Sequence, residues 1–291
     1  MGALPKKTLH GEIHSLKNDG KGFRKLSVLL KSLTGIHLQD SEKNRALMAA
    51  RLWQPMQATG LEDFSSLAAY LQSGRPAARQ HFIELMTTNK TDFFRESAHF
   101  DFLKKNLPEL QAAKIARGDA DFRIWCSATS TGQEPYSILM AYQEALRENE
   151  RLPLRFLATD IDTRALLTAR KGVYDPEQLR HIPPHSKTAW FSTIPTGRTT
   201  KYRVKAGLRN RIRFAPFNLV DANQYSFEGK FDVIFCRNVL IYFDEATVDK
   251  VIHNLLRFLN RDGFLILGLS EAIREIPPSV KLIGNSIYRK L

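Results

Sequence analysis

Four short stretches of this sequence hold residues that could do chemistry together. In the first, Ile124-Trp125-Cys126 runs into the small-residue turn Ser127 to Gly132 and then into Gln133-Glu134-Pro135-Tyr136-Ser137. Such a turn lets the backbone approach a ligand closely, and a helix opening at Pro135 aims free N–H groups at it. Gly132 is its only glycine, so the G-x-G-x-x-G fingerprint is missing and the turn alone fits either a nucleotide-like ligand or an ordinary tight βα connection. In the second stretch, Asp160 lies just past Phe156-Leu157-Ala158-Thr159. A carboxylate in the unit after such a turn can accept both hydroxyls of a ribose. Asp162 suits the N-cap of a helix starting near Arg164, which leaves Asp160 for a ligand. The third stretch is the apolar run Phe231 to Cys236, which delivers Arg237 and Asn238. An arginine there requires a partner, either a protein carboxylate or an anionic ligand, because an unpaired buried charge is costly. The fourth, Met86 to Glu96, carries Asn89, Thr91 and Arg95 around Phe93-Phe94 at a change of texture, where ligand clefts often form. The pairs His10/His14 and His181/His185 have i, i+4 spacing but no Cys or acidic partner at ligand spacing, so no metal site is expected.

The elements that must position these residues divide the chain. Residues 1–85 read as helices. Phe23, Leu26, Leu30 and Leu33 recur at offsets of three and four before Gly35, and Ser41 is the N-cap of a helix through Met48, Leu52 and Trp53 that Pro55 ends or kinks. Further helices are expected near Glu62 to Gln72 and Pro76 to Met86. From residue 122 short apolar runs alternate with helical stretches: strands at Phe122 to Ser127, Leu154 to Ala158, Arg211 to Ala215, Val233 to Cys236 and Phe264 to Leu269, and helices at Pro135 to Leu146, Arg164 to Arg170 and Glu245 to Leu259. That alternation predicts a parallel α/β sheet covered on both faces, with its ligand at the carboxyl ends of the strands. Residues 187–205, with the turn Pro195-Thr196-Gly197, read as a small β-hairpin insertion.

Composition narrows the partner. The 291 residues carry 43 Lys and Arg against 30 Asp and Glu, a formal charge of +13. Residues 1–80 hold twelve basic and six acidic residues, and residues 178–220 nine basic and no acidic ones. The remainder is nearly neutral. Two basic surfaces on a neutral body suit an acidic macromolecule. No apolar run approaches the roughly 20 residues of a membrane helix, and no continuous apolar stretch follows the first lysines, so no secretory signal is expected. Two cysteines inside apolar runs, Cys126 and Cys236, fit buried thiols of a reducing compartment, so a cytoplasmic location is expected.

Together the stretches Thr87 to Arg95, Ser130 to Ser137, Ala158 to Asp162, Phe217-Asn218-Leu219 and Phe235 to Phe243 resemble, in order and spacing, the CheR family of chemoreceptor glutamate methyltransferases. The resemblance runs from about residue 20 to the end. It implies a helical N-terminal domain (1–85) and a Rossmann-like S-adenosylmethionine-dependent methyltransferase domain of α/β class (86–291) with a small antiparallel β insertion. Residue by residue, it assigns Asn89, Thr91 and Arg95 to the reactive end and amino acid moiety of the cofactor. Glu134 goes to the methionine amino group, Asp160 to the ribose, and Asn218 with Leu219 to the adenine. Arg237, Asn238 and Tyr242 are assigned to the place where substrate carboxylate meets sulfonium, with Arg95, Arg237 and Tyr242 as the catalytic set. Lys43, Arg45 and Arg51 fall on the receptor-docking helix.

The implied reaction gives a glutamate methyl ester and S-adenosylhomocysteine. The implied partner is the cytoplasmic helical bundle of a chemoreceptor, with the hairpin as a candidate grip on its C-terminal tether and a monomer as the working state. The sequence departs from the family at Trp53 to Gln57, where relatives often have further arginines, and at Leu269, where many have histidine. Two alternatives from other classes are a nucleic-acid methyltransferase using the 178–220 tract and a non-catalytic receptor adaptor. The tract has few aromatic residues for base stacking (Trp190, Phe191, Tyr202, Phe214, Phe217). Retention of Arg95, Asp160, Arg237 and Tyr242 argues for catalysis.

Overall fold

The computed structural model describes residues 15–147, 150–197 and 199–291, so His10, His14 and Arg198 lie outside the described residues. Residues 15–88 with Tyr242–Asp244 form one compact unit, and 89–241 with 245–291 form a second.

The first unit is helical: α1 (Gly20–Thr34), α2 (Glu42–Thr59), α3 (Phe64–Gln72) and α4 (Pro76–Met86). Its core joins Phe23, Leu26 and Leu30 to Met48, Leu52, Met56, Phe64 and Phe82. Burying side chains of this kind is worth about 1.5–3 kcal/mol each. Asp19 caps α1 through Gly22 N (2.8 Å) and also accepts from Phe64 N (3.1 Å), tying α1 to α3. Only a glycine fits at 22, since a Cβ would stand 2.7 Å from Phe64 Cβ. Ser41 caps α2 as its sequence indicates. Pro55 does not end α2: the helix continues to Thr59 and stops at Gly60, whose φ of 68° is left-handed. The segment Tyr242–Asp244 completes this unit through an Ile36–Phe243 bridge, a His37 N–H to Tyr242 O bond of 2.8 Å, and a Lys31–Asp244 ion pair.

The second unit holds α5 (Ala98–Ala116), β1 (Phe122–Cys126), α6 (Gln133–Ala145), β2 (Leu154–Asp160), α7 (Thr163–Lys171), β3 (Val173–Tyr174), α8 (Pro184–Trp190), β4 (Phe191–Thr196), β5 (Thr199–Val204), β6 (Ile212–Pro216), β7 (Phe231–Cys236), α9 (Glu245–Arg257), β8 (Leu259–Leu267), β9 (Val280–Gly284) and β10 (Ile287–Lys290). Seven strands form one sheet in the order β6-β2-β1-β7-β8-β10-β9, and β3-β5-β4 form a small antiparallel sheet. The pairings from β6 through β8 are parallel, and β10 and β9 close one edge antiparallel. Strand order therefore reverses between β1 and β7, which places the expected ligand crevice at the carboxyl ends of β1, β2 and β7.

At the opposite end of the sheet, Lys114 of α5 reaches Asp232 of β7 at 2.8 and 2.9 Å, with both side chains buried. Asp232 also accepts from Arg123 N and Asn260 Nδ2, so one carboxylate locks α5 to three strands. Trp125 of β1 donates to Thr159 Oγ1 (2.9 Å) and packs with Phe217, Tyr225, Phe227 and Phe231, which fixes one face beneath the crevice.

Candidate functional site

The β1 turn is shaped from its ends. Gly132, at φ 100°, is the N-cap of α6, and a Cβ there would lie 2.8 Å from Ala169 Cβ and 2.7 Å from Tyr174 Oη. The turn is thus pressed onto α7 and the small sheet. Ser130, at φ 50°, donates its N–H to Asp160 Oδ2 (2.7 Å), while Asp160 Oδ1 accepts from Asp162 N (2.9 Å). Burial pushes the Asp160 carboxyl up to about 6, with those two backbone hydrogen bonds opposing the rise. Asp162 caps α7 through Ala165 N (2.9 Å), and its other oxygen accepts Asn89 Nδ2 at 2.7 Å. Asn89 also approaches Ser130 Oγ through its own Oδ1 (3.3 Å). Asn89, Ser130, Asp160 and Asp162 are one cluster.

A second cluster gathers around Arg237, whose side chain has no exposed surface. Its Nη1 donates to Glu134 Oε2 (2.7 Å), and its Nη2 donates to Glu96 Oε2 (3.0 Å) and the Arg95 carbonyl (2.5 Å). The guanidinium also lies over the Phe100 ring, 5.5 Å from its centroid. Arg237 is therefore committed to protein carboxylates, the structural pairing that its buried position requires, and is not presented to a substrate. Burial pushes the Glu134 carboxyl up, and the Arg237 charge opposes that rise. Glu134 Oε1 faces Cys126 Sγ at 3.4 Å, and burial holds that thiol protonated.

Asn238 follows in the left-handed region at φ 56°. Its N–H donates to Glu271 Oε2 (2.8 Å) and its Nδ2 to Glu96 Oε1 (3.0 Å). Glu271 accepts three more backbone N–H groups, from Leu240 (2.8 Å), Ile241 (3.3 Å) and Gly268 (2.7 Å). Glu96 and Glu271 were not singled out by the sequence reading, yet they hold the loops that carry the predicted residues.

The other predicted residues are placed as follows. Arg95 is partly exposed, its Nη1 donating to Lys90 O (3.2 Å) and its Nε standing 4.0 Å from Glu96 Oε1. Thr91 is half-buried on the same loop. Leu219 is buried, and its carbonyl accepts Tyr225 Oη (2.9 Å). Asn218 N donates to Gln224 Oε1 (2.8 Å), and its Oδ1 accepts from Val220 N (3.2 Å). Tyr242 belongs to the first unit. In that unit, Arg51 donates to Met86 O (2.7 Å), Thr87 O (3.0 Å) and Thr88 Oγ1 (3.1 Å), so it caps α4. Arg45 pairs with Asp40 at 2.5 Å, and Lys43 is exposed.

The first cluster fits S-adenosylmethionine by its donor chemistry. Asp160 is a half-buried carboxylate with backbone donors and, among the described residues, no Lys or Arg partner. It retains acceptor capacity for neutral hydroxyl donors, which a ribose supplies.

Comparison with known proteins agrees. Residues 21–87 match the family model "CheR methyltransferase, all-alpha domain", and residues 89–288 match "CheR methyltransferase, SAM binding domain". The chain is 36% identical over 269 residues to the chemotaxis protein methyltransferase of Escherichia coli, covering 91% of this chain and 89% of that protein. It is 35% identical over 259 residues to that of Borreliella burgdorferi, covering 88% and 89%. It is also 35% identical over 277 residues to chemotaxis protein methyltransferase 2 of Pseudomonas aeruginosa, covering 95% and 94%. With both of its domains matched and these relatives aligned over most of their length, the chain belongs to the CheR methyltransferase family.

Proposed function

We propose that this chain transfers the methyl group of S-adenosylmethionine to glutamate side chains on the cytoplasmic helical bundle of chemoreceptors, leaving a glutamate methyl ester and S-adenosylhomocysteine. The half-buried Asp160 carboxylate beside the β1 turn, with no Lys or Arg partner among the described residues, carries this reading. In it, Asp160 holds the ribose, the Ser130 to Gly132 turn and the start of α6 lie along the cofactor, and Asn218 and Leu219 flank the adenine. Glu134 takes the methionine ammonium, with Arg237 compensating its charge from the far side. When bound, the cofactor supplies an electrophilic methyl on a sulfonium.

The chain's own residues have a limited task. A glutamate has an ordinary pKa of about 4.3, so the nucleophile is ionised at neutral pH and needs no general base. The Cys126 thiol is locked in its protonated form, and burial together with the Arg237 charge holds His99 below its ordinary range. What remains is to orient the carboxylate in line and strip its water, and alignment of this kind can contribute up to about 7–11 kcal/mol. Arg95, whose guanidinium is partly exposed, and Tyr242 are assigned that orienting role, with Asn89, Thr91 and Asn238 lining the reactive end.

The receptor partner fits the basic surfaces, with Lys43 as the exposed cation of α2 and the β4–β5 hairpin as a candidate contact for a receptor tether. A monomer acting in the cytoplasm completes the proposal. The nucleic-acid alternative loses its stacking platform: Phe191, Phe214 and Phe217 are buried, and Trp190 and Tyr202 pack against the core. The test is release of S-adenosylhomocysteine on adding a chemoreceptor signalling fragment or, separately, RNA. Receptor-dependent release that R95A abolishes is expected. Full turnover of R95A with unchanged cofactor affinity would remove Arg95 from its role, and RNA-dependent release would overturn the substrate class.

A further inference from the structure

The geometry points to Glu96 as a positioning residue for methyl transfer, one carboxylate that joins its own loop, which carries Arg95, to the Arg237–Asn238 loop and to the backbone at Leu269. The inference rests on the methyltransferase reading above and goes beyond it, because Glu96 belongs to none of the cofactor or substrate contacts assigned there.

Both oxygens of Glu96 are committed, to three residues on two segments, 237–238 and 269. Oε1 accepts Asn238 Nδ2 (3.0 Å), and Oε2 accepts Arg237 Nη2 (3.0 Å) and the Leu269 N–H (3.0 Å). The chain on either side is held away from ordinary conformations: φ is 53° at Phe94, 58° at Glu96 and 56° at Asn238. Non-glycine residues adopt such angles at a cost and keep them only where the surroundings enforce them. Here the enforcement is visible. Glu96 holds Asn238 by its side chain while Glu271 holds it by its backbone N–H, so this left-handed residue is gripped from two sides.

The carboxylate also fixes the chemistry of its neighbours. It accepts and cannot donate, so the Asn238 amide must present Nδ2 to it, and Oδ1 becomes that side chain's outward acceptor. Arg237 donates through one nitrogen to both Glu96 and the Arg95 carbonyl, which fixes the backbone from which the Arg95 side chain departs. The ring of His99 is wholly buried, with Nε2 on Asn285 O (2.7 Å) and Nδ1 3.6 Å from Glu96 Oε2, too far for a hydrogen bond. Among the described residues Glu96 therefore accepts hydrogen bonds from Arg237, Asn238 and Leu269, with Arg95 Nε at ion-pair distance (4.0 Å), and Arg95 and Asn238 inherit their placement from it.

The test compares wild type, E96Q and E96D as full chains, measuring turnover on a chemoreceptor fragment at saturating cofactor, cofactor affinity by calorimetry, and amide hydrogen exchange of Asn238 and Leu269. E96Q keeps the shape but offers an amide N–H₂ where either Asn238 Nδ2 or the Arg237 and Leu269 donors together need an acceptor. Turnover per folded molecule is expected to fall about 10- to 100-fold, as small misplacements of reacting groups do, with cofactor affinity changed by less than about threefold and faster exchange at both amides. E96D, which keeps the charge, is expected to recover part of the turnover. Wild-type turnover in E96Q would overturn the proposal alone, as would a loss confined to thermal stability with turnover per folded molecule unchanged. If E96Q does not fold, E96D decides, and wild-type turnover with wild-type exchange in it would overturn the proposal. A wild-type chain inactive on the receptor fragment would overturn both this proposal and the functional reading.

Discussion

At the scale of single residues, Asp160 sets a pH dependence with a definite sign. Ribose hydroxyls donate to a carboxylate, and a protonated carboxyl is the weaker acceptor. With its pKa pushed up to about 6, Asp160 ionises only above that value, so cofactor affinity is expected to fall as pH drops through about 6. The same shift acts oppositely on the fold. A carboxyl raised above its ordinary 3.8 favours the folded state when protonated, so this group's contribution to stability improves as pH falls from about 6 toward 4. Calorimetric titration of the cofactor between pH 5 and 8 checks the first effect. D160N should bind about 10- to 100-fold more weakly at pH 8, as loss of charge-assisted hydrogen bonds implies, and should lose the pH dependence. A D160N chain that retains the wild-type profile would assign the ribose elsewhere.

At the scale of elements, two ties make separable predictions. Lys114 and Asp232 are a buried pair joining α5 to the sheet. K114A strands a buried carboxylate and should cost about 3–5 kcal/mol in urea unfolding, while the double variant K114M/D232N should recover part of it. Arg51 caps α4 through two carbonyls and Thr88, so R51A should lower stability by about 1–3 kcal/mol without any receptor present. K43A should instead raise the KM for receptor and leave the melting temperature unchanged. The family resemblance grouped these two residues as docking cations, and hydrogen bonding separates them.

Local signals were the legible ones. Ser41 and Asp162 declare their helices because a cap bonds within three residues. Helix α5 is hidden in the sequence because Pro108 sits inside its pattern, and Pro55 likewise suggests an end or a kink in α2. Proline is tolerated in both because tertiary packing outweighs one lost backbone bond. Glu96 and Glu271 were illegible for a different reason. Their partners at Asn238 lie 142 and 33 residues away, and it takes the pairing of β7 with β1 on one side and with β8 on the other to bring those loops together.

At the scale of the whole molecule, the +13 charge is concentrated in residues 1–80 and 178–220, while the unit's crevice is balanced by its own ion pairs. Docking on an acidic receptor bundle should therefore be salt-sensitive and chemistry should not: the KM for receptor should rise several-fold between low and physiological salt with kcat unchanged, since screening acts on exposed charges. The most direct test of the central claim is the chemical form of the transferred methyl. Radiolabelled methyl from S-adenosylmethionine, offered with a chemoreceptor cytoplasmic fragment, should appear on the receptor as base-labile ester and be absent with D160N. Base-stable label on the receptor, or no label while the cofactor still binds, would contradict the account.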